Sequence, residues 1–193
     1  MAVDASKVLV GALDQETTGA VLDAPVGTAL PTDVTGAINA AFKDSGYVDS
    51  GGLQLTTDFS TKDITEANGA AVRQLLESFN GETKYTELEM SERSLIRAFG
   101  SKSVTTTPAT NSHGTQIKLA IGARLPEVRS WVFKIKDGTA KVLIVIPRGQ
   151  AIPPSEMTFQ ASEPIKVPIT LKCQRDAAGN SIYIYLDDGV VTK

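Results

Sequence analysis

Residues 129–147 read RSWVFKIKDGTAKVLIVIP, two apolar runs separated by a short polar turn. The first run alternates apolar and polar residues and places Trp131, Phe133 and Ile135 on one face, which is the period of a half-buried strand. The Asp-Gly pair at 137–138 favours a tight type I′ turn, because both residues tolerate positive φ. The second run is almost continuously apolar, so we expect both of its faces to be covered. The stretch predicts an antiparallel hairpin with one fully buried strand.

The same two-residue period recurs elsewhere in the chain. LQLTTDF at 53–59 and TQIKLAI at 115–121 both alternate, and two further runs alternate on either side of the polar turn DAAGN. Eight or more short strands joined by polar turns are typical of a sandwich or barrel. The side chains predicted to face the core in the last two runs are Val167, Ile169, Leu171, Cys173, Ile182, Ile184 and Leu186.

Two segments instead have helical spacing. TDVTGAINAAFKDSG offers Thr32 or Asp33 as an N-cap and Gly46 as a stop. SERSLIRAFG offers Ser91 as an N-cap and Gly100 after its last turn. We therefore predict a mainly β (α+β) fold, a β-sandwich of two packed, mostly antiparallel sheets flanked by one or two short helices.

The length predicts a single domain over residues 1–193. Three segments are rich in small polar residues or in proline, and we expect them to be loose. The first is a flexible N-terminal arm of about residues 1–27, which overlaps a Gly-, Pro- and Thr-rich stretch at 14–33. The other two are long loops at about 100–114 and 147–156. Loops of this length are usually functional or disordered, so we expect surface arms at these places.

Composition and residue inventory argue against several classes of function. A net charge of −3 and a pI near 5.2 are unlike nucleic-acid-binding proteins, which display basic stripes. No apolar run is long enough to span a bilayer. The single histidine, His113, lies in a polar loop that lacks a rigid partner to orient a catalytic base. With Cys173 as the only cysteine, the usual zinc ligand set is missing. We predict no enzyme activity, no metal and no cofactor.

The glycines of GYVDSGGLQL, residues 46–55, raise the question of a phosphate-binding loop. The stretch matches neither of the common glycine-rich phosphate-binding patterns. A phosphate cradle also normally opens a helix, whereas the residues that follow alternate like a strand. We interpret Asp49–Gly52 as a turn, with Leu53 and Leu55 at the start of the core face of a strand.

A distinctive order of short motifs begins with the predicted short helix that ends in Phe42-Lys43-Asp44 and runs to Gly100. A Gly-Tyr-Val link and a Gly-Gly-Leu turn precede the strand LQLTTDF. Two more predicted strands follow, KDITEANGAAVRQLLES and GETKYTELEM, and then a short helix that ends in glycine. This order resembles the major tail (tail tube) proteins of long-tailed bacteriophages with non-contractile tails. The closing stretch EPIKVPITLKCQRDAAGNSIYIY resembles the last hairpin of that family, with its turn at Asp176–Gly179. The positions that carry the resemblance are Gly46, Tyr47, Val48, Gly52, Leu53, Lys62, Ile64, Gly69, Val72, Arg73 and Gly100.

The resemblance implies a structural virion protein that assembles into stacked hexameric rings, the tube through which the phage genome passes. It implies as partners other copies of the chain and the tape-measure, tail-terminator and tail-tip proteins. DNA is expected to pass through the lumen without specific binding, and no membrane is involved. The expected location is the virion tail, after assembly in the cytoplasm of the bacterial host. Tubes of contractile tails have similar subunits, so both tail types stay open.

An acidic lumen would suit this role, because basic walls bind DNA through counterion release. Residues 53–90 are the expected source of lumen strands. An alternative is a β-sandwich carbohydrate- or protein-binding module of a tail tip or surface adhesin, although Trp131 lies in a core pattern and not on a sugar-stacking surface. A carboxylate-based hydrolase on the same scaffold is a third possibility. The candidate lumen-facing acidic residues are Asp58, Asp63, Glu66, Glu82 and Glu87.

Overall fold

The computed structural model describes residues 7–16 and 18–191. Within these ranges it contains ten strands, one α-helix and one short 3-10 turn at Ser101–Ser103. The helix is α1 (Glu92–Phe99), and the strands are β1 (Val21–Pro25), β2 (Lys43–Asp44), β3 (Gln54–Thr65), β4 (Ala71–Glu87), β5 (Val104–Thr107), β6 (Gln116–Leu119), β7 (Val128–Asp137), β8 (Ala140–Ile152), β9 (Val167–Gln174) and β10 (Tyr183–Asp187).

Eight strands form one antiparallel sheet in the order β2-β1-β7-β8-β9-β4-β3, with β10 added beside β8. Strand β8 joins the two halves of this sheet, because residues 141–145 pair with β10 and residues 148–152 pair with β9. Strands β5 and β6 form a separate small sheet. The result is a mainly β, β-sandwich-like fold with one short helix, which confirms the predicted fold class.

A β-bulge separates the two halves of β8. The pairing with β7 shifts register between Arg129 and Trp131, so two residues of β8 stand opposite Ser130. One of them is Pro147, which has no N–H to donate and is therefore tolerated in a strand at a bulge. The Pro147 carbonyl accepts a hydrogen bond from the Ser130 hydroxyl at 2.7 Å. Bulges bend a strand, and this bend lets β8 pair with different strands at its two ends.

Both faces of β8 are covered, as its apolar run predicted. On one face Ile144 and Ile146 pack in the main core with Trp131. On the other face Leu143 and Val145 belong to a second, smaller core cluster. Full burial of one large aliphatic side chain stabilises a fold by about 1.5–3 kcal/mol. This strand is therefore a central source of the hydrophobic stabilisation.

Helix α1 has the termini that the sequence predicted. The Ser91 hydroxyl accepts a hydrogen bond from the Ser94 N–H at 3.2 Å, and Gly100 follows the last turn with a φ of 86°. Leu95 and Phe99 are buried in the main core. The cap contributes about 1 kcal/mol, and the buried face fixes the helix against the large sheet.

The helix predicted over 32–46 is wrong, because residues 32–42 form turns and irregular structure before β2. The Asp33 carboxylate accepts hydrogen bonds from the N–H groups of Thr35, at 2.8 Å, and Gly36. Such a local turn competes with helix formation, and a glycine costs about 1 kcal/mol in a helix interior. The apolar spacing that suggested a helix serves instead to bury Phe42 in the second core cluster.

The prediction of loose segments is wrong at three places. Residues 21–25 form β1, a largely buried inner strand of the large sheet. Strand β8 continues through residues 147–152, and residues 101–107 contain the 3-10 turn and β5. Small side chains are as suited to close packing as to loops, so composition alone did not distinguish a buried strand from a loose loop. Residues 1–6 and 17 of the predicted arm lie outside the described residues.

Strand pairing also differs from the prediction. The region predicted as three strands forms two long ones, β3 and β4. Strand β10 pairs with β8 and not with β9, so the predicted closing hairpin is wrong, although its Asp176–Gly179 turn is present. Because of this pairing, β10 directs Tyr183 and Tyr185 toward the second core cluster and leaves Ile184 and Leu186 exposed, the reverse of the prediction.

The turn between β7 and β8 is two residues long, since Asp137 pairs with Ala140. Only its first residue, Gly138, has a positive φ, of 58°. A type I′ turn needs positive φ at both positions, so the predicted turn type is wrong. The second residue, Thr139, is β-branched and disfavours positive φ.

Candidate assembly surface

Strands β3 and β4 form a long hairpin that projects from the body of the protein. Residues 56–78 are all exposed, while the two strands stay paired out to Thr65 and Ala71. At the tip, the Gly69 N–H donates to the Glu66 carbonyl at 2.9 Å. At about 3.3 Å per residue, the exposed part of β3 extends roughly 30 Å. We call residues 56–80 the projecting hairpin.

The register of β8, β9, β4 and β3 gives this half of the sheet one core face and one polar face. Ala151, Leu171, Thr83 and Leu55 stand in one row across the four strands and point into the core. The rows on either side point the opposite way, because successive side chains in a strand alternate. Their side chains are exposed or half-buried and almost all polar. We call this surface the polar face; its residues are Gln54, Thr56, Asp58, Asn80, Glu82, Lys84, Arg148, Gln150, Ile152, Thr170, Lys172 and Gln174.

Two lysines and one glutamate stand at the centre of the polar face. The Lys84 Nζ lies 2.7 Å from the Glu82 Oε1, and the Lys172 Nζ contacts the Glu82 Oε2. Hydrogen bonds from Lys172 and then from Lys84 lower the pKa of the Glu82 carboxyl. The other charged members are Asp58 and Arg148, so the polar face has three basic and two acidic groups among amides and hydroxyls. It is not an acidic surface, although the whole chain has a charge of −3.

The opposite side of the projecting hairpin carries an apolar cluster. The rings of Phe59 and Phe79 are paired across the strands with centroids 4.8 Å apart. Leu76 lies beside them, opposite Thr61. Phe59 is 60% exposed and Leu76 is 57% exposed. Exposed apolar side chains that cluster in one patch, and are not scattered singly, are candidates for an interaction site. We call Phe59, Leu76 and Phe79 the apolar face of the hairpin.

The projecting hairpin has two free strand edges. Strand β3 is the last strand of the large sheet, so its outer edge has no partner strand among the described residues. Strand β4 pairs with β9 only over residues 81–87, which leaves the second edge of residues 71–80 without a partner strand in the described ranges. Free edges expose rows of N–H and C=O groups and are templates for pairing with another chain.

The structure separates the five acidic residues that were predicted to line a lumen. Asp58 and Glu82 lie on the polar face. Asp63 lies on the opposite side of the hairpin, and Glu66 lies in its tip turn. Glu87 is fully buried, with 0% of its surface exposed. Of the five, only Asp58 and Glu82 share one face of the sheet, and the burial of Glu87 contradicts its predicted exposure.

A family model described as phage tail tube protein matches residues 1–192. This chain belongs to the phage tail tube protein family. The match covers almost the whole chain and confirms the resemblance seen in the motifs between 46 and 100. Comparison with curated proteins finds no match. Membership gives this tail tube protein a structural role in the phage tail and a place in the virion tail, and the family is not an enzyme family.

The tail tube protein also has a buried ionic cluster, which sequence reasoning missed. Asp23, on β1, accepts hydrogen bonds from Arg93 at 2.9 Å, from Arg97 at 2.6 Å and from Arg129. Arg97, on α1, also donates to Glu87 at 3.3 Å. The cluster joins β1, β4, β7 and α1 in the body of the protein. A signal was present in the sequence, because Glu87 follows the core-facing positions of β4 at a spacing of two.

The environment of Glu87 favours its neutral form. Burial raises the pKa of Glu87 to about 7, although the charge of Arg97 and the hydroxyl of Tyr85 act in the opposite direction. The Tyr85 hydroxyl donates to the Glu87 Oε1 at 3.2 Å, while the Oε2 is buried without a hydrogen-bond partner. Arg97 additionally donates to the backbone carbonyls of Lys43, at 2.8 Å, and Asp44. The cluster therefore also holds the edge strand β2.

The family-like glycines are structural in this tail tube protein. Gly46 has a φ of 73°, and a Cβ at this position would lie 2.3 Å from the carboxyl group of Glu89. That carboxylate accepts a hydrogen bond from the Tyr47 N–H at 3.0 Å. Gly46 is thus a site of close approach, and not the end of a helix as predicted. The other motif positions have varied roles: Val48 and Leu53 contact the core, Gly52 and Gly69 have positive φ in turns, Gly100 ends α1, and Arg73 lies on the projecting hairpin.

Other candidate chemistry is sparse. Trp131 is buried and donates its Nε1–H to the Gly149 carbonyl at 3.1 Å, so it offers no sugar-stacking surface. His113 contacts the Gly114 carbonyl within its polar loop. Cys173 is half-buried in β9, and burial raises the pKa of its thiol. Among the described residues, no group of three potential metal ligands is found, and no helix is long and apolar enough to cross a membrane.

Proposed function

We propose that this tail tube protein assembles into closed hexameric rings, which stack to form the conduit for genome passage. The observation that carries this proposal is the projecting hairpin, with two free edges, one polar face and one apolar face. In a monomer the two edges have no partner strand within the part of the chain that the structure describes, and the apolar face is in contact with water. A closed ring of identical copies can pair the edges and cover the apolar face, while the polar face stays hydrated.

The two free edges suit head-to-tail pairing. The outer edge of β3 and the second edge of residues 71–80 lie on opposite sides of the same hairpin. Pairing the first edge of one copy with the second edge of the next is a heterologous contact, and such contacts close into a ring when the rotation allows it. Closure removes the free edges. The number six follows the family resemblance.

The two faces of the hairpin then take different places. The polar face continues across β8, β9, β4 and β3 as one hydrated surface, and we assign it to the lumen. The apolar face, with Phe59, Leu76 and Phe79, packs on a neighbouring copy in the same ring or the next. Burial of such side chains is worth about 25 cal/mol per Å² of apolar surface, so the contact favours assembly.

The proposal includes the wider setting. Assembly takes place in the host cytoplasm, with tape-measure, tail-terminator and tail-tip proteins as partners that set the length and ends of the tube. DNA passes along the polar face without specific binding. The chain needs no cofactor or catalytic group for this role.

Electron microscopy of the purified chain over rising concentration tests the proposal. We expect hollow tubes built of six-membered rings, with neighbouring hairpins paired edge to edge and Glu82 facing the lumen. A chain that stays monomeric at every concentration, or tubes with the polar face on the outside, would contradict it.

A further inference from the structure

We propose that Glu82 keeps two lysines of the lumen wall from binding the DNA that passes, by holding Lys84 and Lys172 in one ion-paired group. This inference rests on the proposed function, because it takes the polar face as the lumen wall. It assigns a specific neutralising role to one carboxylate. General acidity of the wall is not required.

The geometry places Glu82 between its two partners. Lys172 stands beside Glu82 in the β4–β9 register, and Lys84 lies two residues further along β4 on the same face. Each lysine contacts a different carboxylate oxygen, Lys84 at Oε1 and Lys172 at Oε2. One carboxylate therefore engages both ammonium groups at once.

The exposure of the three side chains fits this role. The side chains of Lys84 and Lys172 are 53% and 51% exposed, so both could reach a phosphate group beside the wall. Glu82 is 18% exposed, which places the carboxylate closer to the sheet than the ammonium groups it holds. The pairing partners of the three residues, Gln54, Thr56, Thr170 and Gln150, carry no charge. Within the polar face, Glu82 is therefore the acidic group in contact with these lysines.

Loss of the Glu82 charge would expose basic groups that repeat around the lumen. Binding of DNA to lysines is driven by counterion release. The logarithm of the binding constant falls with the logarithm of the salt concentration, with a slope of about 0.9 for each phosphate contacted. With two contacts, the binding constant falls roughly tenfold between about 50 mM and about 200 mM salt. Repetition of the contacts along a tube would turn this into retention of DNA during transit.

The test uses assembled tubes and a short fluorescent DNA duplex present during assembly. Tubes of wild type, Glu82→Gln and Glu16→Gln are sedimented, washed and assayed for retained duplex at about 50 mM and about 200 mM salt. Glu16→Gln is the matched control, since Glu16 pairs with Lys136 at 2.9 Å away from the polar face. It removes the same charge and frees a lysine elsewhere. A duplex with a bulky protein bound at each end, which cannot enter a tube, reports binding to the outer surface.

We expect Glu82→Gln tubes to retain more duplex than wild type at about 50 mM salt, and this excess to fall roughly tenfold at about 200 mM salt. Glu16→Gln and the capped duplex should show no increase. Equal retention by wild type and Glu82→Gln, or an equal rise with Glu16→Gln or with the capped duplex, would overturn the role of Glu82 while leaving the tube intact. Absence of tubes from wild type would instead contradict the proposed function.

Mixed tubes keep the test decisive if Glu82→Gln does not assemble alone. Wild type is then assembled with increasing fractions of Glu82→Gln, or of Glu16→Gln as control. Retained duplex should rise with the fraction of Glu82→Gln incorporated, and a flat response would overturn the inference.

Discussion

At the scale of single residues, the body of the tail tube protein is organised around a buried cluster of acidic and basic side chains. Asp23 is 1% exposed and accepts hydrogen bonds from three arginines on two other elements. Ion pairs of this kind add little net stability over apolar packing, yet removal of one partner leaves an uncompensated buried charge. The cluster therefore fixes where α1 sits on the sheet.

Asp23→Asn should destabilise the protein by about 3–5 kcal/mol, because Arg97 would keep its charge in a buried site and lose its main counter-ion. Urea unfolding of the unassembled chain measures this change. Glu163→Gln is the control, since its contact with Lys166 is 4.0 Å long and exposed; we expect less than about 1 kcal/mol there. Similar effects for the two variants would show that the Asp23 cluster is not a stabilising centre.

Glu87 should make stability depend on pH. Its pKa is raised from 4.5 to about 7 by burial, so the folded protein binds this proton more tightly than the unfolded chain. The resulting stability is fully present below about pH 4.5 and is lost as pH rises through about 7. The integrated loss is about 3 kcal/mol.

Glu87→Gln mimics the neutral form and removes this dependence. The difference in unfolding free energy between variant and wild type should shift by about 3 kcal/mol in favour of the variant from pH 4.5 to pH 8. Urea unfolding at intervals across that range supplies the measurement. A difference that stays constant with pH would mean that the pKa of Glu87 is not raised in the folded protein.

At the scale of elements, the hairpin of β7 and β8 is where the sequence was most informative. Its alternating and continuous apolar runs were enough to predict two strands and burial on both faces of the second, because side-chain period and hydrophobic burial are local properties. The bulge at Pro147 was not predictable in the same way, since it depends on which strands flank β8. For the same reason β10 was given the wrong inner face: period two identifies two faces of a strand and does not say which one meets the core.

Gly149 is a sensitive position in this hairpin. A Cβ there would lie 2.6 Å from the Cδ1 of Trp131, in a buried site with little room to adjust. Gly149→Ala should therefore destabilise by about 1–3 kcal/mol through overpacking. Gly114→Ala is the control, as its added Cβ meets no atom within 4 Å. Thermal unfolding separates the two, and an unchanged midpoint for Gly149→Ala would show that Trp131 relaxes without cost.

At the scale of the whole molecule, the sequence was sufficient to suggest the tail tube family but not the surface that its subunits use. The family pattern lies in glycines, turns and apolar positions that set the backbone, and these are visible without a structure. Asp58 and Asp63 are five residues apart on β3, so alternation alone places them on opposite faces, whereas the shared face of Asp58 and Glu82 depends on the register of β3 with β4. Glu87 was wrongly predicted to face a lumen: its spacing of two from Tyr85 indicated the core face, but the partner that accompanies a buried carboxylate, Arg97 on α1, was not visible in the strand pattern.

If rings form through the projecting hairpin, assembly requires its distal part. Asp58 and Asn80 are neighbours in register, so replacing residues 59–79 by Asn-Gly closes a short turn and removes the apolar face together with most of both free edges. The removed residues are exposed or, for Phe79, half-buried. The body of the protein should keep its thermal midpoint to within a few degrees. Replacing residues 108–115 by Asn-Gly between Thr107 and Gln116 is the matched control.

The most direct measurement is negative-stain electron microscopy of wild type and both shortened chains at matched, rising concentrations. We predict hollow tubes for wild type and for the chain shortened at 108–115, and folded monomers without tubes for the chain shortened at 59–79. Normal tubes from the chain that lacks residues 59–79 would contradict assembly through the projecting hairpin.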